Sequence, residues 1–262
     1  MKKILITGAG SYIGTCLEHH LSQWEGQYRV DTVDMMGDGW KTMDFSGYDS
    51  IFHVAAIVHT GENKENTELF YRVNRDLALA VAEKARNEGV RQFIFLSSMS
   101  VYGIDSGPVP IHAYPNPKSH YGKSKLQAEQ AIAALRSDGF AVAILRPPMV
   151  YGEGCKGNYQ ALVKFAKIMP FFPDYENKRS MLSIENLVQF VKERIDEVSD
   201  GLFCPEDPQF HCTCRMVQQI AGDMGRKLPL LKALNPAVSL VKHCTPQGRK
   251  AFGDLYYERE SL

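Results

Sequence analysis

The sequence predicts an α/β fold, a doubly wound parallel sheet with a smaller C-terminal lobe. Three observations point to it. Short runs of apolar β-formers alternate with longer helical patterns through the first two-thirds of the 262 residues, an order that calls for parallel pairing through right-handed crossovers. The strand runs are apolar throughout rather than alternating, as befits strands covered on both faces. The first of them leads straight into a glycine-rich turn and an amphipathic segment.

Taken in order, KILIT is the first strand, and a helix follows the turn over about residues 13–23. RVDTVDM and SIFHVAAIV are the second and third strands. LFYRVNRDLALAVAEKARNEG is a long helix with basic residues near its end and Gly89 to close it, both stop signals. QFIFLSS is the fourth strand, SHYGKSKLQAEQAIAALRSDG a helix closed by Gly139, and AVAILRP the fifth strand. After Pro147 and Pro148 the character changes. YGEGCKGNY, MPFFPDYENKRS and CPEDPQF are loop-rich, with short helices near 158–169, 184–198 and 214–224. The expected organisation is a Rossmann-type dinucleotide-binding domain over 1–150 and a smaller, partly interleaved lobe over 151–262.

Composition narrows the function. The formal net charge is +0, which argues against a nucleic-acid or membrane-surface partner. No apolar run approaches the ~20 residues of a membrane span, and Met1-Lys2-Lys3 opens into a strand rather than a signal peptide, so the expected location is cytoplasmic. Cys16, Cys155, Cys204, Cys212, Cys214 and Cys244 are scattered and read as reduced, structural thiols. FHCTCRMV alternates like a strand and no second cysteine pair follows, so no metal is expected.

In Thr7-Gly8-Ala9-Gly10-Ser11-Tyr12-Ile13-Gly14 the glycines allow positive φ or the close approach of a phosphate. The helix behind them offers free N–H groups and a partial positive charge to a pyrophosphate. Asp34, 26 positions after Gly8 at the end of the second strand, can accept hydrogen bonds from ribose hydroxyls and repels a 2′-phosphate, favouring NAD over NADP. A strand-end turn aspartate is the alternative, and nearby Arg29 and Lys41 keep NADP in play.

Tyr121 and Lys125 stand four apart at the start of a helix and share one face. A phenol titrates near pH ~10 and is a poor base at neutrality. An ammonium at ~4 Å offers ~4 kcal/mol at an effective dielectric of ~20, enough to draw that value down by up to ~3 units. The phenol then comes within range of exchanging a proton with a sugar hydroxyl or ketone. Ser98, 23 positions upstream at the carboxyl edge of the fourth strand, is placed to bond the same oxygen. His53 reads as a core histidine, His19 and His20 as surface, and His59 and His120 as neighbours of the expected cleft. Tyr102 reads equally as a sugar neighbour or as packing, and the charges of 184–198 as a solvated helix face.

On these residues the chain resembles the extended short-chain dehydrogenases/reductases, in the branch of NAD-dependent nucleotide-sugar epimerases and dehydratases. TGAGSYIG resembles the family's TGxxGxxG, and IFHVAA, VNRDLA, SSMSVYG, YGKSK and LRPPMVYGEG resemble its later segments. The resemblance implies that Gly8, Gly10, Ser11, Tyr12, Ile13 and Gly14 hold the pyrophosphate and that Asp44 and Phe45 lie near the adenine. It implies that Ala55, Ala56 and Asn74 line the cofactor cleft and that Pro148 packs by the nicotinamide. Ser98, Tyr121 and Lys125 are then catalytic, with Tyr121 and Lys125 also on the cofactor. Ser98, Met99, Ser100, Lys156, Asn158 and Arg179 contact a nucleotide-sugar substrate. Two departures stand out: Ser11 replaces the middle glycine, and Met149 stands where UDP-glucose 4-epimerases often carry asparagine. The implied activity is epimerisation at C4 of a UDP-hexose, against one-way NAD(P)H-dependent reduction of a UDP-4-keto-6-deoxy sugar or a catalytically silent NAD-sensing module. Homodimers are common among proteins of this kind.

Overall fold

The computed structural model describes residues 1–58 and 66–259; His59 lies outside them. The chain divides into two compact units, one comprising Met1–Gly103, Pro115–Pro147 and Ser183–Pro205, the other Ile104–Tyr114, Pro148–Leu182 and the residues from Glu206 onward.

In the first unit, among the described residues, six parallel strands form one sheet: β1 (Lys2–Thr7), β2 (Tyr28–Val33), β3 (Ser50–His53), β4 (Gln92–Leu96), β5 (Ala141–Leu145) and β6 (Gly201–Phe203). Their spatial order is β2-β1-β3-β4-β5-β6. The chain leaves β1 for one side and returns to the other, so the carboxyl ends of β1 and β3 flank a topological switch point, where ligands enter sheets of this kind. The register aligns Thr7 with both Val33 and His53, so three strands end level.

The Rossmann-like architecture follows the sequence, with two local differences. β3 stops at His53 instead of running through the apolar VAAIV, because the amides of Val54 and Ala55 both turn to the Thr7 carbonyl, at 3.2 and 3.0 Å. The sixth strand, three residues long at the sheet edge, was too short to stand out as a periodic segment.

Every position of β3 and β4 is buried. Helix α1 (Tyr12–Ser22) follows β1, α2 (Ala78–Asn87) precedes β4, α3 (His120–Ala133) precedes β5, and α4 (Ile184–Asp196) precedes β6. Alanines 78, 82 and 85 of α2 and Ala128 and Ile132 of α3 pack with Leu5, Ile51, Phe93, Phe95, Val142 and Ile144, the alternate side chains that share one sheet face. α1 and α4 pack against each other. Ahead of α2 the helix begins as Thr67–Tyr71 and widens to a π-helical Arg72–Leu77.

The second unit is built of short pieces. Phe172–Pro173 pairs in parallel with Leu230–Leu231, and Gly107–Val109 with Leu255–Tyr257. Helices Asn158–Ile168 and Thr213–Asp223 pack together over a separate core that includes Leu162, Ala166, Phe172, Met181, Val217 and Ile220. The strand reading of FHCTCRMV is overturned here. Cys212 is an N-cap and Thr213–Asp223 is helical, because Cys214, Val217 and Ala221 repeat at helical spacing and bury together. Among the described residues no helix is long and apolar enough to cross a membrane.

The first unit also buries an ion pair. Arg146 meets Glu129 at 2.5 Å with side chains only 8% and 4% exposed, Ser97 donates to the same carboxylate, and Arg146 reaches the Tyr102 hydroxyl at 2.9 Å. Tyr102 is therefore a member of this network. Burial works against the Arg146 charge, yet the carboxylate and phenol outweigh it and raise its pKa. Removing one partner leaves an uncompensated buried charge. Glu129→Ala should lower the unfolding free energy by about 3–5 kcal/mol in urea titrations, and Glu129→Leu with Arg146→Met should recover much of that loss.

Candidate functional site

The site grows out of the turn after β1. The amides of Gly8 and Ala9 bond the Val33 carbonyl at 2.9 and 3.0 Å, which pins the turn to β2. Gly8 has φ +118, and a Cβ there would meet backbone atoms of Ala55 at 3.1–3.2 Å. Only glycine satisfies both demands. Ser11 caps α1 without a side-chain cap bond, and its hydroxyl lies 2.5 Å from where a Cβ on Gly14 would sit. That hydroxyl is buried and makes no hydrogen bond. A buried polar oxygen beside a helix N-terminus, where N–H groups lack intrahelical partners, fits the phosphates of a dinucleotide. Serine in place of the middle glycine thus puts a buried hydroxyl at this helix N-terminus.

Ser98 follows β4 and caps the 3₁₀ turn Met99–Tyr102, its Oγ accepting from the Ser100 amide at 3.1 Å. The same side chain acts on the phenol of Tyr121, in the first turn of α3, which Ser119 caps. Tyr121 is half-buried. Burial pushes its phenol up to about 12, with Ser98 pulling the other way.

Lys125, one turn further, is 2% exposed. Its ammonium donates to the Leu96 carbonyl at 2.8 Å and sits 4.6 Å from the centre of the Phe95 ring. Burial draws its pKa down to about 7, with the Glu129 carboxylate opposing. The sequence argument that Lys125 lowers the phenol therefore needs correction: in the protein alone desolvation governs both groups, and it pushes both toward their neutral forms.

Neighbouring side chains fix this geometry. Asn74, fully buried on the π-helical turn, accepts from the Ile57 amide at 2.8 Å and donates to the Ile57 carbonyl at 3.0 Å and to Ser124 Oγ at 3.2 Å. Ser124 in turn donates to the Tyr121 carbonyl at 2.9 Å. Asn74 thus ties the loop after β3, where Ala55 and Ala56 lie, to the helix carrying Tyr121. His53 is a core histidine: its Nδ1 pairs with Thr7 Oγ1 at 2.8 Å, and burial, then the Lys125 charge, holds it neutral at about 3. Sequence reasoning missed Ser124 and Glu129, although Glu129 stands four residues after Lys125, the spacing that puts both on one face.

Asp34 is exposed just past β2, and its carboxylate accepts the Met36 amide at 2.9 Å. Asp44 is exposed and accepts the Ser46 amide at 2.8 Å. The Phe45 ring is wholly buried in the core with Lys84 4.9 Å from its centre. Met99 is buried, and the buried Ser100 hydroxyl has no hydrogen-bond partner. His120 meets the Tyr71 hydroxyl at 3.0 Å.

In the second unit, Pro148 is buried while Lys156 and Asn158 are exposed. Arg179 there donates to the carbonyls of Lys250 and Gly253 at 2.9 and 3.0 Å. Burial lowers its pKa, with Asp254 opposing.

A family model described as "NAD dependent epimerase/dehydratase family" matches residues 4–192. The UDP-glucose 4-epimerase of Vibrio cholerae is 32% identical over 246 residues, covering 84% of this chain and 75% of its own. Among solved structures, UDP-glucuronic acid 4-epimerase from Bacillus cereus in complex with NAD superposes with a TM-score of 0.73 at 19% identity, covering 98% of this chain and 90% of that one. A dTDP-4-dehydrorhamnose reductase from Clostridium acetobutylicum does so with a TM-score of 0.70 at 21% identity, covering 87% and 82%.

Two measurements test the local chemistry. Ser11→Ala removes a hydroxyl that no other group of the protein uses. It should weaken NAD(P) binding roughly tenfold by calorimetric titration while changing the unfolding free energy by less than about 0.5 kcal/mol. Lys125 carries a folded-state pKa of about 7 against an unfolded value near ~10.4, so between these pH values the unfolded chain binds the extra proton. The lysine's penalty is then greatest below the folded value and fades as pH rises toward the unfolded one. Urea unfolding of the cofactor-free protein should show wild type gaining on Lys125→Met across that window, with a slope approaching about 1.4 kcal/mol per pH unit.

Proposed function

The chain belongs to the NAD dependent epimerase/dehydratase family, and from that premise we propose that it epimerises a UDP-linked hexose at C4. The observation that carries this reading is that Ser98, just past β4, and Tyr121 and buried Lys125, one turn apart on α3, gather at the carboxyl edge of the sheet, where Lys125 bonds the Leu96 carbonyl at 2.8 Å, in the same unit as the glycine turn. Similarity to the Vibrio cholerae UDP-glucose 4-epimerase supports the substrate class. NAD, when bound, supplies the hydride chemistry.

The residues of the chain supply the rest. Gly8, Ser11 and the N-terminus of α1 receive the pyrophosphate, and Asp34 the adenosine ribose. Ser98 orients the sugar oxygen at C4. Tyr121 passes a proton to and from that oxygen, and Lys125 holds the nicotinamide ribose. Burial keeps the phenol protonated at neutral pH, which suits donation to a ketone. Accepting a proton draws on Ser98, which favours the phenolate. Lys156, Asn158 and Arg179 are the residues proposed for the nucleotide end of the substrate.

A second reading, a one-way 4-ketoreductase, is favoured by the reductase fold match at nearly the same TM-score and by 27% identity over 221 residues to the UDP-2-acetamido-2,6-beta-L-arabino-hexul-4-ose reductase of Pseudomonas aeruginosa. One experiment separates the two. If purified protein releases about one NAD per chain on denaturation and interconverts UDP-glucose and UDP-galactose without added cofactor, it is an epimerase. If cofactor exchanges freely and a UDP-4-keto sugar drives NADH oxidation, it is a reductase. Under either outcome Tyr121→Phe should cost about 10²–10⁴-fold in kcat while its circular dichroism stays that of wild type. Full turnover in that variant would remove the phenol from the chemistry.

A further inference from the structure

The enzymatic reading leaves unused a pair of thiols in the second unit. Cys212 caps the N-terminus of the 11-residue helix Thr213–Asp223, and Cys214 is the second residue of that helix. Their sulfurs lie 3.2 Å apart, in contact but unbonded, since a disulfide spans about 2.0 Å. Cys212 is half-buried, whereas Cys214 is 1% exposed in the core of this unit.

The backbone on either side is pinned without help from the sulfurs. The amide of His211 bonds the Arg179 carbonyl at 2.8 Å, and the return bond is 2.9 Å. Thr213 donates its amide to Asn177 Oδ1 at 2.8 Å, and Asn177 returns a bond to Thr213 Oγ1 at 3.0 Å. The two side chains are therefore held face to face by the strap 177–179.

We propose that Cys212 and Cys214 form a thiol–disulfide exchange site that reacts with low-molecular-weight disulfides. Cys212 is the nucleophile. The contact between the two sulfurs favours the Cys212 thiolate and lowers its pKa against burial, with the amides of Asn177, Arg215 and Cys214 adding to the effect, while Cys212 Sγ also lies 3.4 Å from the Tyr175 carbonyl. The Cys214 thiol is pushed up and keeps its proton.

In the first step the Cys212 thiolate attacks one sulfur of the small disulfide, forming a mixed disulfide and releasing one thiolate. In the second, Cys214 gives its proton to that departing thiolate and attacks Cys212 Sγ, expelling the second sulfur as a thiolate that takes from solvent the proton Cys212 lost on ionising. The small disulfide is reduced to two thiols and the protein pair is oxidised to one disulfide. The attacking sulfur is the partly exposed one, and the resolving sulfur already touches it.

The test reads sulfur chemistry rather than turnover, so it stands apart from the enzymatic reading. The tryptic peptide of residues 195–215 also contains Cys204, so the full chain carrying Cys204→Ser is used. After treatment with oxidised glutathione, that peptide should lose two hydrogens in mass and retain no glutathione, and dithiothreitol should restore it. With Cys214→Ser added, the peptide should instead keep one glutathione on Cys212. At pH 6 iodoacetamide should alkylate Cys212 at least about tenfold faster than the exposed Cys244. A dithiol left intact under conditions that modify Cys244, or a stable glutathione adduct while Cys214 is present, would overturn the proposal. The alkylation ratio and the wild-type pair's mass decide the matter even if Cys214→Ser folds poorly.

Discussion

The carbonyl oxygen of Thr7 is the point on which the upper edge of the sheet depends. Two amides, from Val54 and Ala55, converge on it, ending β3 and swinging the following loop across the end of β1. That crossing brings Ala55 against Gly8, so the turn accepts no side chain there. The loop then runs to Ile57, where Asn74 holds both backbone groups and passes the connection through Ser124 to the backbone of Tyr121. The glycine turn and the helical turn that carries Tyr121 are thus parts of one hydrogen-bonded frame. The net worth of each bond is modest, about 1 kcal/mol, but an unpaired member would cost more because the frame is buried.

Much of this was legible in the sequence. The alternation of apolar runs with helices fixes parallel pairing, and the TGAGSYIG turn identifies the end of β1. The spacing of Tyr121 and Lys125 puts them on one helix face, and the serine ending the fourth strand arrives beside the phenol. What could not be read depends on long-range contacts. The premature end of β3 is caused by Thr7, 47 positions before Val54, and no local pattern announces it. The cysteine alternation in FHCTCRMV spans too few residues to outweigh the helical repeat downstream. The resemblance implies a place near the adenine for Phe45, while its ring lies in the core cluster with the alanines of α2.

Electrostatics resisted sequence reasoning for another reason. Proximity along a helix suggests that a lysine and a tyrosine act on each other by Coulomb attraction alone. In three dimensions Lys125 is drawn to the Leu96 carbonyl and the face of Phe95, and desolvation outweighs attraction for both groups. Glu129 partly offsets the lysine's cost while it pairs with Arg146 and receives Ser97. The charge state of the site is therefore a property of a buried set of groups and not of a pair.

The π-helical turn Arg72–Leu77 has a consequence for how this chain can vary. One residue advances an α-helix by about 100°, so an extra residue accommodated in a wide turn lets two different faces look inward in succession. Asn74 faces the loop after β3, and a turn later Ala78, Ala82 and Ala85 face the sheet. Excising a single residue from that turn would act less as a shortening than as a twist, carrying the amide off the loop or the alanines off the sheet. Length in this segment is thus under geometric constraint even where the identity of the side chain is not.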